Sequence, residues 1–313
     1  MTALLFSFPW RERGMKKTTI AALVLIFPGI AAFLFFNLWP IIYSIYLAFT
    51  NAQLGNFPVQ APTAEPLKFV GLENFKWILS DEKFRNAFKW TWIFVVTSVT
   101  LKVLVGILLS LLYNSRYVKG RMIYRSLLII PWALPLLFSI TVWRFMFDPV
   151  FGPVNQVLKS LGVSNLPNWT NDPFWGFIAL NIIEVWLAYP FMMTVITAAL
   201  QSVPDTLIEA AIIDGANYWQ RFRHVVLPVV GKPIAFATIL TSAASFQYFM
   251  VPYIYNAGLF EDKFILLYGF RKAFGAVPHY GRATAVMVIA TLVLAIYMYI
   301  NVKITRLQEG AKE

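Results

Sequence analysis

Hydrophobic runs long enough to cross a bilayer dominate this chain of 313 residues. A helix needs roughly 20 apolar residues to cross hydrocarbon about 30 Å thick, because each residue rises about 1.5 Å. That ruler reads spans near 19–49, 88–113, 123–147, 174–200, 229–254 and 283–305. Only 13% of residues are charged, about half the share of a soluble domain. The expected fold is therefore all-α, a single transmembrane domain over 1–313 with six transmembrane helices. The first run is too long for one straight crossing and contains Pro28 and Pro40, which predicts a kinked or tilted helix with an interfacial extension. It also far exceeds the apolar core of a cleaved signal peptide.

Six spans place both termini on one side, and basic residues choose the side. With the termini cytoplasmic, the inner segments hold Arg11, Arg13, Lys16 and Lys17, then Arg116, Lys119, Arg121 and Arg125, then Arg221, Arg223 and Lys232, then Lys303, Arg306 and Lys312. The outer segments hold fewer, spread over longer and more acidic stretches. The short acid-free 114–122 loop carries most of the bias. The net charge of +11 thus sits beside hydrophobic spans, and no nucleic-acid partner is expected. With no cysteine in the chain, disulfides, thiolate metal sites and cysteine nucleophiles are excluded. His224 and His279 lie too far apart for metal-ligand spacing, so no metal site is expected.

One inner stretch, "IEAAIIDGANYWQRFRHVVLP" at 208–228, is amphipathic rather than greasy. Ser202 and Asp205 around Pro204 form an S-x-x-D helix start, and Gly215 after Asp214 is a helix stop, which frames a helix over 205–213. A second helix runs from Asn217 to Val226 and ends at Pro228. Small Ala210 and Ala211 beside Glu209 would let the first helix sink into a partner's groove. An interfacial helix resting on headgroups would equally suit Trp219, Arg221 and Arg223. A DNA-reading helix-turn-helix would have poor access to a groove so close to two membrane spans.

Glu209-Ala210-Ala211, Asp214-Gly215 and the closing Leu227-Pro228 resemble the EAA loop of membrane subunits of binding-protein-dependent ABC importers. "FVGLENFKWILSDEKF" (69–84), "IIPWALP" (129–135) and "GPVN" (152–155) resemble the sugar-transporting branch. "VWLAYPFMM" (185–193) and "LPVVGKPIAFATILTSAASFQYF" (227–249) are most similar to the maltose-type permease subunit. The resemblance implies the type I importer permease fold with both termini cytoplasmic. It makes 201–228 the coupling loop, in which Glu209, Ala210, Ala211, Asp214, Gly215, Leu227 and Pro228 meet an ATPase. It also implies a homologous second permease subunit, two ATPase subunits and an extracellular sugar-binding protein. ATP and Mg would be bound by the ATPase, since this chain has no Gly-rich phosphate loop and needs no cofactor of its own. The best-known maltose subunit has extra amino-terminal spans and a large periplasmic insertion where this chain has the short 51–87 loop, so the grip on the binding protein must differ.

Ionisable groups at membrane depth are costly and mark functional sites. Glu184 lies near the middle of the fourth span and shares one helix face with Leu187, Ala188 and Phe191. The fifth span repeats that spacing with Thr241, Ala244, Ser245 and Tyr248. Both faces combine hydrogen-bonding groups with aromatic or small residues, which suits the hydroxyls and the flat apolar side of a sugar. A substrate cavity between these two helices is expected. The resemblance aligns Glu184 and Ser245 with positions where the maltose-type family uses amides. Two other readings stay open: Thr241 can serve packing alone, and Glu184 can pair with Lys102, deep in the second span. Arg144 is expected to snorkel outward and Pro190 to kink the fourth helix.

The outer segment 69–85 spaces Phe69, Leu72, Trp77, Ile78 and Phe84 as a helix lying on the outer interface. With parts of 148–173 and 256–282, the resemblance makes it the rim where the binding protein lands. Asn168-Trp169-Thr170 matches a glycosylation triplet of a kind that recurs by chance. The expected function is a non-catalytic transport subunit of a multi-pass cell-membrane importer. Its substrate would be a maltose- or trehalose-like disaccharide or a short oligosaccharide. The alternative is a proton-coupled secondary sugar transporter using Glu184. A membrane enzyme finds no nucleophile or acid-base constellation, and a cavity lined by Glu184 disfavours glycerol phosphate.

Overall fold

A computed structural model describes residues 13–57, 65–114, 118 and 120–310. Among the orienting basic residues, Arg11, Arg116, Lys119 and Lys312 lie outside the described residues, as do 115 and 117 of the 114–122 loop. The described backbone is helical apart from turns and one isolated bridge between Thr50 and Phe69. Among the described residues, five helices are long and apolar enough to cross a membrane, or six if one bent pair counts as a span.

The first run forms α1 (Arg13–Phe33), a π turn (Leu34–Leu38) and α2 (Trp39–Ala48). At Pro40, where a kink was expected, the helix carries a π bulge. A proline cannot supply the N–H of a regular turn and crowds the carbonyl four residues back, so the chain widens by one residue just before Pro40, where the Trp39 N–H reaches Leu34 O. From Ala22 onward most of this helix is exposed, and among those residues only Leu47 and Ala48 at its end are buried. The expected 69–85 helix is shorter than its pattern: α3 covers Glu73–Ser80, and extended Asp81 separates it from α4 (Glu82–Asn114). Ile78 and Phe84 are buried, whereas Phe69 and Leu72 are exposed.

The third expected span is not a single straight helix. Helices α5 (Arg121–Ala133) and α6 (Leu136–Met146) meet at 95°. Leu134 is extended, as the residue before a proline prefers to be, so the "ALP" of 133–135 breaks the helix. Next come α7 (Pro153–Ser160) and the long α8 (Pro173–Gln201). Pro190 does not interrupt α8, and Thr194 Oγ1 donates to the Pro190 carbonyl at 2.7 Å. Asn155 of the "GPVN" stretch is buried, donates to the carbonyls of Pro149 and Pro167, and accepts from Trp169 Nε1 at 2.8 Å. The Asn168 triplet is simply the turn before α8.

α9 occupies Asp205–Ile213 as expected. The S-x-x-D start is not used, however: Pro204 precedes the helix without a side-chain cap, and Ser202 Oγ donates back to Ala199 O at 2.8 Å. Gly215 stops the helix at φ +77°, with the Ala216 N–H reaching Ala211 O and the Gly215 N–H reaching Ile212 O. That bond pair is the Schellman closure, which glycine adopts without steric cost.

The expected stop at Pro228 fails. α10 (Tyr218–Arg221), a π turn (Phe222–Val226) and α11 (Leu227–Phe246) form one uninterrupted helix. The device is the one used at Pro40, with the Leu227 N–H reaching back to Phe222 O. α11 then ends at Phe246, eight residues short of the expected span. The chain continues as α12 (Met250–Phe260), α13 (Ile265–Phe274) and α14 (Tyr280–Gly310).

α4 and α8 run in the same direction, both ending near α9: Thr97 meets Asn181 at one level, and Ser110 meets Met193 and Thr197 further along. Small residues let these backbones approach, which is how helices pack where lipid removes the hydrophobic drive. A Cβ on Gly106 would sit 2.8 Å from Met192 Cβ. At the opposite end, an aromatic core of Phe94, Phe147, Trp169, Tyr255, Phe260 and Phe264 joins α4, α6, α8, α12 and the chain before α13.

Candidate functional site

Three helices meet at the Lys102 side chain. Its Nζ donates to Glu184 Oε1 at 2.5 Å and to Ser245 Oγ at 2.7 Å, joining α4, α8 and α11 at one level. Ser245 in turn donates to Thr241 O at 3.0 Å. The level lies about 26 Å along α8 from its Gln201 end at about 1.5 Å per residue. An isolated charge there would be strongly penalised, whereas a hydrogen-bonded pair presents no net charge. The Lys102 side chain is 1% exposed and that of Glu184 11%, so the carboxylate is the member that reaches open space. Lys102 thus engages the carboxylate that the secondary-transporter reading would use for protons.

That open space is a cavity of about 580 Å³ bounded by Leu136, Glu184, Leu187, Ala244, Gln247 and Tyr248, and by Phe249, Met250, Val251, Leu266, Phe270 and Met287. Its size is in the usual range for small-ligand sites, and its wall is mainly apolar with few polar groups, as such sites are. Of the eight residues expected to contact substrate, Glu184, Leu187, Ala244 and Tyr248 border it. The other four lie elsewhere. Ser245 is fully buried behind Glu184, and Thr241 is buried with its hydroxyl 3.5 Å from Met192 Sδ. Phe191 sits 6.2 Å from the Trp132 ring, and Ala188 is half-buried outside the cavity wall. Tyr248 stacks on Phe94 at 4.4 Å, so only part of its ring faces the space.

The missing wall comes from segments the span ruler treated as membrane helix or outer rim. Gln247, Phe249 and Met250 sit at the break between α11 and α12, while Leu266 and Phe270 belong to α13 and Met287 to α14. The short run "FQYFM" (246–250) was the available signal, since a helix ending there must turn its aromatic residues toward neighbours. Arg144 does not merely snorkel: its Nη1 donates to Ile254 O at 3.3 Å, tying α6 to α12.

At the α9 end, all seven residues assigned to ATPase coupling are exposed or half-buried. Apolar Ile212, Ile213, Tyr218 and Trp219 stand exposed around them, Ile213 at 85%. Asn217 caps α10 reciprocally with Gln220, which fixes the turn between α9 and α10. Behind α9 lies a cleft of about 1050 Å³ between the ends of α4 and α8 and the α10 segment.

At the opposite end, Lys272 Nζ lies 3.5 Å from Asp81 and 4.5 Å over the Trp77 ring, with Arg282 4.0 Å from the same ring. Burial raises the Asp81 carboxyl, but the Tyr268 hydroxyl, the Lys83 amide and the Lys272 ammonium together hold it below its ordinary value. His279 is pushed down by burial and then by Arg282 and Lys272. No cluster of three potential metal ligands occurs among the described residues.

A family model described as "Binding-protein-dependent transport system inner membrane component" matches residues 102–306. The maltodextrin transport system permease protein MalC of Streptococcus pneumoniae is 31% identical over 295 residues, 88% of this chain and 67% of MalC. The galactooligosaccharides transport system permease protein GanP of Bacillus subtilis is 34% identical over 236 residues, 74% of this chain and 55% of GanP. The chain therefore spans between about half and two thirds of these relatives' length. The crystal structure of a bacterial ABC transporter involved in import of the acidic polysaccharide alginate superimposes with a TM-score of 0.76 at 23% identity, covering 94% of this chain and 99% of that one.

Proposed function

The chain belongs to the family of binding-protein-dependent transport system inner membrane components, and from that premise we propose that it forms one membrane half of an ATP-driven importer for a maltose- or trehalose-like disaccharide or short oligosaccharide. In this reading six spans cross the membrane, the bent α5–α6 pair counting as one, with both termini and α9 cytoplasmic. The uncovered helix α9 carries the assignment. Small residues beside Glu209, apolar Ile212 and Ile213 left exposed, and a fixed turn after Gly215 make a compact knob at the water-facing end of two long helices. It has the form of an element that seats in another protein.

The connection from α9 to the cavity supports a mechanism. α9 follows α8 after a three-residue turn, and α10 continues without interruption into α11, a 29-residue helix from Tyr218 to Phe246 about 43 Å long. The near end of that helix adjoins the knob, and its far end carries Ala244 at the cavity. Closure of two ATPase subunits, which bind ATP and Mg, would move α9 and tilt α11. The cavity would then open outward to a docked sugar-binding protein, and hydrolysis would reverse the motion. A homologous second membrane subunit would complete the pathway and cover the exposed first helix. No cofactor is assigned to this chain.

The test is ATP hydrolysis and labelled-sugar uptake in proteoliposomes holding this chain with its partner membrane subunit, ATPase and binding protein. Glu209→Lys is expected to abolish uptake and sugar-stimulated hydrolysis while the membrane subunits still assemble. Uptake that persists without ATP and follows a proton gradient would overturn the importer reading.

A further inference from the structure

Four aromatic rings lead from the cavity toward the end opposite α9. Phe249 and Phe270 border the cavity with their centroids 4.9 Å apart. Tyr253 lies 5.4 Å from Phe249, nearly parallel to it, and 5.2 Å from Phe270. Phe274 follows at 4.8 Å from Phe270. The direction of α13 orients the row. At the start of α13 the Ile265 N–H donates to Thr91 Oγ1, well inside α4, whereas Lys272 reaches Asp81, before α4 begins. Phe274 therefore stands about one helical turn, roughly 5 Å, nearer the end of the bundle than Phe270.

These rings are unlike their neighbours. Phe94, Phe260 and Phe264 are almost fully buried, but Tyr253 is 39% and Phe274 69% exposed. Aromatic residues at a membrane interface commonly face lipid. An acyl chain, though, has no use for a row that ends at Gln247 and the Glu184 carboxylate. The nearby charges Arg271 and Glu261 satisfy each other at 3.0 Å, so the row offers no net charge to an ionic solute. Flat apolar faces followed by hydrogen-bonding groups match a pyranose, whose C–H face stacks on a ring while its hydroxyls seek polar partners.

We propose that Phe274, Phe270, Tyr253 and Phe249 form a stacking track on which the sugar rings of a neutral linear glycan pass from the outer mouth into the cavity. This rests on the sugar-importer reading above. Stacking tolerates rotation and different linkages, so it guides a chain without arresting it. Once a glycan is seated in the cavity, Phe274, the outermost ring, still holds only one long enough to extend past it, so its removal discriminates by chain length.

The experiment compares uptake of maltose and maltopentaose by the complete reconstituted complex. Phe274→Ala is expected to leave maltose uptake within about twofold and to lower maltopentaose uptake about tenfold, the most that one stacked ring is worth. Phe274→Trp restores maltopentaose uptake and Phe274→Leu does not. Equal losses for both sugars, no loss, or full recovery in Phe274→Leu would overturn the track and make Phe274 a lipid- or subunit-facing residue, leaving the importer reading intact. If the wild-type complex imports neither glycan while its ATPase turns over, the sugar assignment itself fails and the track with it.

Discussion

Removing Lys102 should damage this protein more than removing Lys102 and Glu184 together. In Lys102→Met, the Glu184 carboxylate keeps only the Ser245 hydroxyl, 3.5 Å away, at a depth where an unpaired charge is poorly solvated. Breaking a buried pair typically costs about 3–5 kcal/mol. Because Glu184 touches the cavity, water can relieve part of that, which sets the expected loss near 3 kcal/mol. Glu184→Leu strands the more deeply buried Lys102 ammonium and should lose about 4 kcal/mol. The double variant carries no orphaned charge and should lose about 1 kcal/mol or less. At roughly 2 °C per kcal/mol for a chain of this size, Lys102→Met melts about 6 °C lower and the double variant within about 2 °C of wild type. The assay is the apparent melting temperature in nanodiscs at fixed scan rate, read by intrinsic tryptophan fluorescence. Additive losses would refute the pairing. Sugar uptake by the double variant then separates the roles of Glu184: uptake restored with stability makes the carboxylate structural, and stability restored without uptake makes it a substrate contact.

Gly106→Val should lower stability by about 2–3 kcal/mol, since its Cβ would meet Met192 Cβ at 2.8 Å and the Met192 backbone at 3.3 Å in a close helix contact; a melt that is unchanged would show that α4 and α8 can separate freely. Asn155→Ala should cost about 2–3 kcal/mol by orphaning Trp169 Nε1 and two carbonyls, seen as faster amide exchange or proteolysis across 149–172. His279 has a depressed pKa, so the unfolded chain binds its proton more readily than the folded one. Stability should therefore be full above about pH 6.5 and decline as pH falls below it. Asp81, held under its usual value, keeps its charge throughout that window. His279→Gln should flatten the melting-temperature profile between pH 7 and 5, and an unchanged slope would remove His279 as its cause.

Much of the fold is legible because the bilayer imposes a length. The α4, α8 and α14 spans follow from counting apolar residues, and no packing detail alters the need to satisfy the backbone inside hydrocarbon. The α9 boundaries are equally local, since Gly215 can adopt positive φ without steric cost. Prolines were the least reliable signs. Pro228 was expected to stop a helix, yet it is preceded, like Pro40, by a π turn that absorbs the missing donor. Pro135 did break its helix, aided by the extended Leu134.

The candidate site was half legible for a related reason. Helical periodicity finds residues on a common face, and it grouped Glu184 with Leu187 and Ala244 with Tyr248, which line one cavity. Periodicity says nothing about which face meets a cavity and which meets Met192 or Trp132, so Thr241 and Phe191 were grouped with residues that do border it.

The sequence by itself determined the all-helical membrane architecture, the short exposed helix α9 and the presence of two costly intramembrane charges, because bilayer thickness, backbone sterics and charge solvation act within one segment at a time. Only the tertiary structure decided that Lys102, Glu184 and Ser245 meet, that α10 and α11 form one rod, and that α12 and α13 fold in to wall the cavity. Those outcomes join residues 82 and 143 positions apart. They depend on three-dimensional packing among helices, which no local spacing encodes.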